Sequence, residues 1–244
     1  MYHHNILDTR NEAINFTYPL NRGILGKRAG IGIALLAYQG GEMEWNELNP
    51  DESVKSSEVV NAESDYLVGL CYGQEIASFS GNTSAGVMVK WIRSTLAEKY
   101  GASALGIDIG VLHKMREFGL GIAIQNIGTG IKFMEGVDSL PFTLRLGGSY
   151  GRKIGKIVNV AGGLDGIKVK NDNMRWNLGG ECWIKDILGI RAGYKIKDKD
   201  EVTLGASIRY KWVQLDYGYN INDVFNNTHQ IAITLRMASP GINK

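Results

Sequence analysis

The sequence predicts an all-β fold, an antiparallel up-and-down barrel that crosses a membrane, and three observations carry that prediction. First, apolar residues alternate with small or polar ones over segments of about ten residues. Strands of that length, rising ~3.3 Å per residue and tilted by ~40°, cover a hydrocarbon band of roughly 25 Å, whereas soluble strands run about five or six residues. Second, thirteen such strands are legible in the sequence. A closed barrel fills its interior with side chains at about eight strands. A larger one with its oily faces inward would enclose an empty apolar hole, while the reverse arrangement simply holds water. Third, aromatic residues gather near strand ends: Tyr38, Tyr66, Tyr72, Trp91, Phe118, Phe142, Tyr150, Trp176, Tyr194, Tyr210 and Tyr219 are all read on the apolar face. Rings at both edges of an apolar band form the interfacial girdle of a membrane barrel.

The strands are expected at roughly 10–20, 28–38, 64–74, 83–93, 103–112, 118–127, 140–150, 154–164, 173–184, 190–196, 201–210, 212–219 and 228–237. The alternation is cleanest in the middle. Leu105, Ile107, Ile109 and Val111 alternate with Ala104, Gly106, Asp108 and Gly110. From Phe118 to Gln125 every even position is large and apolar, and every odd one small or polar. The short link His113–Glu117 joins these two segments as a hairpin. Phe142, Leu144 and Leu146 continue the rule, as do Met174, Trp176 and Leu178, then Val202, Leu204, Ala206 and Ile208, then Ile231, Ile233 and Leu235. No segment has a helical stripe of useful length, and no composition break marks a linker, so residues 1–244 read as a single domain.

Links alternate in length. Each of 39–63, 94–102, 128–139, 165–172 and 220–227 is longer than the links beside it, among them 21–27, 75–82, 113–117, 151–153 and Lys211, and only 185–189 and 197–200 are nearly equal. Outer-membrane barrels have short periplasmic turns and long outer loops, so the last strand is expected to end in the periplasm. Met1–Asp8 has no basic region followed by an apolar core and does not read as a secretory signal. An even strand count with both ends in the periplasm then calls for one more strand, which is expected to be missing before Asn11, so the sequence reads as an N-terminally truncated fourteen-stranded barrel of the bacterial outer membrane.

Several function classes fall away. The net charge of +2 and the lack of a basic cluster argue against nucleic acid as the main partner. Abundant glycine (32) with scarce proline (4) suits long strands with a small-residue face. The two cysteines, Cys71 and Cys182, fall on opposite strand faces and are not expected to bond. There is no G-x-S-x-G, no phosphate loop and no metal-ligand spacing around His113, read in a turn, or His229, read at a strand start. No catalytic residue, cofactor or metal is expected.

Ala102–Gly110, Gly119–Gly128 and Leu140–Gly147 occur in an order that resembles the PorV/PorQ family of outer-membrane barrels, relatives of the FadL long-chain fatty-acid transporters. Asn177–Glu181, Ile190–Tyr194, Leu215–Tyr219 and Thr228–Ile231 continue the resemblance, which covers roughly residues 83–237. It implies a fourteen-stranded barrel acting without chemistry. The role is either a pore or component of type IX protein secretion, with secretion-system proteins as partners, or a FadL-like transporter of hydrophobic small molecules. The family's N-terminal Trp-Asn-Pro-Ala-Gly motif is absent, so no plug segment is assigned, and the chain ends Arg236-Met237 and onward without a terminal Phe. A soluble β-sandwich binding module is the third reading.

The functional candidates are the charges on the non-oily parity: Asp108, Arg145, Arg175, Glu181, Arg191, Arg209, Asp216 and Arg236, expected to face the lumen. Such arginines either bias a pore toward anions, hold an inserted plug, or form a paired network that braces the wall. Turned toward lipid, five arginines would cost roughly 10–20 kcal/mol at ~2–4 each, as much as a whole domain's stability. The stretch Gly40–Glu63, with seven carboxylates against Lys55, reads as a solvated acidic outer loop.

Overall fold

The computed structural model describes residues 2–4, 9–77, 80–133, 136–196, 200–222 and 227–237. Among them are β1 (Tyr2–His4), β2 (Arg10–Leu20), β3 (Ala29–Gln39), β4 (Glu42–Leu48), β5 (Val54–Asn61), β6 (Glu63–Ala77), β7 (Asn82–Leu96), β8 (Tyr100–Met115) and β9 (Phe118–Gly128). The rest are β10 (Ile131–Phe133), β11 (Gly136–Asp138), β12 (Thr143–Ile154), β13 (Val158–Val169), β14 (Met174–Ile184), β15 (Leu188–Ile196), β16 (Glu201–Tyr210), β17 (Val213–Asn222) and β18 (Thr228–Leu235). Fourteen of these close an antiparallel barrel in the order β1-β18-β17-β16-β15-β14-β13-β12-β9-β8-β7-β6-β3-β2. The thirteen long strands of that ring are those the alternation marks. The fourteenth place, expected to be missing before Asn11, is instead held by the three residues of β1, which pair with β18 through Tyr2↔Ile231 and with β2 through Tyr2↔Glu12.

The faces point as their side chains demand. Leu120 is 62% exposed and Ile233 66%, with Ile31, Val89, Leu105, Leu178, Leu204 and Ile208 exposed on the same outer wall. No large side chain among the described residues is fully buried. The accessible surface of 16665 Å² far exceeds the roughly 10,800 Å² expected of a compact protein of this mass. The chain is a hollow cylinder with its apolar surface outside, and such a continuous patch is far larger than a monomer keeps in water. Trp91, Phe118, Phe142, Tyr150, Trp176 and Tyr194 lie on that outer wall, with Phe118 and Tyr150 ring centroids 5.0 Å apart.

Four local expectations are corrected. Tyr38 pairs with Asp65 on the inner parity, because Ile31, Ile33 and Leu35 set the outer one. The acidic stretch 40–63 is not an open loop but the hairpin β4–β5. Glu42-Met43-Glu44-Trp45 alternates like a strand, and Met43 faces Val60. Strand β12 runs on to Ile154, so the turn is 155–157, formed by Gly155 at φ 60° with Lys156 beside it. Finally, 94–102 is almost all strand: only 97–99 links β7 to β8, and His113 lies within β8, its Nδ1 2.9 Å from Thr83 Oγ1.

The β4–β5 hairpin is docked on that 97–99 link. Ala97 N donates to Ala62 O, Lys99 Nζ pairs with Glu58 at 2.6 Å, and the same ammonium lies 4.6 Å from the Trp45 ring centroid. Asn61 donates from its backbone and its side chain to Glu98 Oε1. Those two bonds hold the Glu98 carboxyl below the usual glutamate range.

Candidate functional site

The inner wall of the barrel is where the charged and bulky inward side chains meet. Along the wall from β12 to β15, cross-strand rows of glycine (Gly163↔Gly179↔Gly193) leave the surface smooth. Two lumen cavities lie against the wall, one of about 1010 Å³ lined from β3 and β6–β9 to β13 and one of about 820 Å³ lined from β12 to β18.

Near the short-turn end, five of the predicted residues are brought together. Arg191 Nε donates to Glu181 Oε2 at 3.0 Å, and its Nη1 donates to Asp216 Oδ1 at 3.0 Å and Ser207 Oγ at 2.7 Å. Gln214 Nε2 donates to both Asp216 oxygens, while its Oε1 accepts from Arg209 Nε at 2.9 Å and Arg236 Nη2 at 3.2 Å. Arg209 also stacks over Trp183, its Cζ 4.0 Å from the ring centroid. Trp183, only 6% exposed, is a large inward side chain on β14, where Gly189 opposite leaves room for its ring. The arginines here are tied to acids, an amide and an indole, which is the geometry of a wall brace.

The other three predicted residues stand apart. Arg145 reaches Asp165 at 3.9 Å, with both side chains about half exposed. Arg175 lies toward the long-loop end, near Glu201, which Lys195 pairs at 2.9 Å and Asn220 Nδ2 meets at 3.1 Å. Its Nε, together with Asn177 Oδ1 and Asn220 Oδ1, has no hydrogen-bond partner in the protein. Asp165 and Glu201, not singled out from the sequence, supply counter-charge to the inner arginines.

Asp108 belongs to a third cluster. It takes Lys90 Nζ at 2.7 Å, and both side chains are largely buried (7% and 15% exposed). Opposite Asp108 the β8–β9 ladder slips: Ile107 pairs with Ile127 but Ile109 with Ile124, a β-bulge at Gln125-Asn126. Asn126 sits at φ 62°, a left-handed conformation asparagine tolerates. Its backbone N–H donates to Asp108 Oδ1 at 2.8 Å, its Oδ1 accepts from Lys90, and its Nδ2 donates to Pro141 O at 2.7 Å. Thr143 Oγ1 donates to the same carbonyl. The buried ion pair thus pins the incoming end of the β9–β12 connection, and Leu140 is buried inside against Gly106 and Lys90. Gly128 just beyond has no room for a side chain, since a Cβ would lie 2.0 Å from Leu105 O.

The inner wall also carries an apolar row. Ala13↔Leu36↔Leu67↔Ile92↔Ala104 are cross-strand partners across five strands. These inward leucines and isoleucine were hidden in the doublets Leu35-Leu36, Leu67-Val68 and Trp91-Ile92, where one residue of each pair breaks the alternation. Among the described residues no group of three or more His, Cys, Asp or Glu is placed to hold a metal. Cys71 and Cys182 are free.

No family model and no curated protein matches the chain. Solved structures do. The P. putida toluene transporter TodX is similar at a TM-score of 0.54 and 10% identity, over 97% of this chain and 87% of that one. A mutant of Rh. blastica porin aligns over 96% of both chains at 10% identity, with a TM-score of 0.46. The likeness to TodX agrees with the fold built above, an all-β antiparallel barrel.

Proposed function

We propose that the chain is a non-enzymatic barrel of the bacterial outer membrane that provides a path for solutes through its lumen. The observation that carries this reading is the inversion of the molecule: an apolar outer wall around an inner wall of glycines and paired charges, with cavities of about 1010 and 820 Å³ inside. Hydrocarbon is the environment in which the outer wall is stable, and water is the one in which the Arg191 and Lys90 clusters are satisfied. With the short turns at the periplasmic side, β4–β5 and the β9–β12 connection stand outside.

In this role Arg175 is the inner arginine of interest, since it stands apart from the Arg191 brace, near Glu201 at the long-loop end. The refolded chain is expected to conduct ions in a planar bilayer. Arg175→Ala is expected to lower the anion-to-cation permeability ratio by about two- to threefold, the scale of removing one charge from the wall of a wet pore. A chain that inserts and never conducts would contradict the open path.

A second reading is transport of hydrophobic small molecules. The row Leu36, Leu67, Ile92 and Ala104 favours it, since an apolar stripe on an otherwise polar inner wall suits an apolar ligand, and the barrel is similar to a toluene transporter. Leu67→Lys would then abolish retention of a hydrophobic ligand while leaving conductance intact. A place in type IX protein secretion rests on the resemblance to the PorV/PorQ family alone.

A further inference from the structure

The short-turn end carries a pattern that lumen function does not explain. Its six links are 21–28, 78–81, 116–117, 155–157, 185–187 and 211–212. Five of them hold a cation: Arg22 in the first (with Lys27 and Arg28), then Arg116, Lys156, Lys185 and Lys211. Four of those five also hold a large apolar residue that is exposed: Ile24 at 84%, Ile157 at 48%, Ile187 at 46% and Trp212 at 57%. The Arg116 link leads straight into Phe118, at 55%.

These residues are held at one level. Lys185 N donates to Ile157 O, Arg209 N to Ile187 O, Arg236 N to Trp212 O and Gly151 N to Glu117 O, so each turn is stitched to the neighbouring strand. The Lys211 ammonium lies 5.2 Å from the ring centroid of Tyr210, itself an outer-wall residue. The first turn folds back against the wall, where Ile24 N donates to Tyr72 Oη and Leu25 N to Gln74 Oε1.

The turn geometry adds an independent signal. Arg116 (φ 51°), Lys185 (φ 52°) and Lys211 (φ 52°) occupy the left-handed region, where glycine or asparagine is the unstrained choice. Three cations at three strained positions are a local cost that backbone geometry does not ask for. At the opposite end the β4–β5 hairpin is acidic, with Glu42, Glu44, Glu47, Glu52 and Glu58 on or beside it.

We infer that the short-turn rim is a collar that binds the phosphate groups of anionic phospholipids in the leaflet it faces. The inference rests on the membrane reading above. Each exposed Ile or Trp enters the edge of the hydrocarbon, and the adjacent cation stands at headgroup height, as in interfacial anchors. A soluble polyanion would engage the cations but leave the apolar partners in water.

The test uses the full chain refolded into phosphatidylcholine vesicles with and without phosphatidylglycerol, followed by detergent release and mass spectrometry of retained lipid. The native chain is expected to retain phosphatidylglycerol over phosphatidylcholine on the order of tenfold, given the pull of several rim cations on an anionic surface. The triple variant Lys156→Asn, Lys185→Asn, Lys211→Asn is expected to fall to near parity. In phosphatidylcholine alone that variant should melt no lower than the native chain, because asparagine at 185 and 211 relieves two left-handed positions and Lys156 lies exposed in its turn. Inorganic phosphate is expected not to displace the retained lipid. A preference that survives the triple variant, or that phosphate abolishes, would overturn the collar. A chain that enters neither vesicle would overturn the membrane reading instead.

Discussion

Lys90→Met is expected to destabilise the barrel by about 3 kcal/mol, because it strands the Asp108 carboxylate in a largely buried site. Asp108 would keep only the Asn126 N–H, and the Asn126 side chain would lose its Lys90 donor. The bulge would then no longer hold Pro141 O, and Leu140 would leave the wall. Two measurements check this. Denaturant unfolding in vesicles should show the loss, and limited proteolysis should cut within 129–142 where the native chain resists. The pairing is tested by Lys90→Met with Asp108→Asn: the asparagine can still accept from Asn126 N, and the double variant should regain at least half of the lost stability. Strictly additive losses would mean that the two side chains are not coupled.

Leu120→Arg is expected to cost about 3 kcal/mol, the penalty for a guanidinium near the middle of the lipid face of a barrel. Ser149→Arg is the control. Ser149 lies on the inner wall opposite Gly163 and Gly119, where an added arginine meets water, and its effect should stay within about 0.5 kcal/mol. The two substitutions add the same group a short distance apart on neighbouring strands. Equal effects would mean that the two faces do not differ in environment.

The strands and the sign of their faces were legible because β8, β9 and β12 alternate almost without exception, and period two leaves one choice of face per strand. The brace of Glu181, Arg191, Arg209 and Asp216 was legible as a set of inward charges, since parity alone puts them on one wall. Its chemistry was not. Which acid meets which arginine depends on cross-strand register, and Trp183 joins them only because Gly189 lies opposite. Three features were beyond alternation. The Asn126 bulge inserts a residue that shifts the phase of β9, so the partner of Asp108 cannot be counted from sequence. The β4–β5 hairpin looks like an acidic loop because both its faces carry glutamates; Trp45 stacking under Lys99 is a tertiary contact. The apolar row on the inner wall consists of residues that violate the pattern, and a reading built on the pattern discards them.

Phase along one strand decides the account most directly. With both native cysteines replaced by serine, single cysteines at positions 118–125 of β9 carry a nitroxide, and the refolded chain is studied in lipid vesicles by its collisions with oxygen and with a water-soluble nickel chelate. Leu120, Ile122 and Ile124 are expected to favour oxygen, and Gly119, Gly121 and Ala123 the chelate, in a strict period of two. The opposite phase would place the leucines and isoleucines in water and the glycines in hydrocarbon, and would contradict the barrel described here.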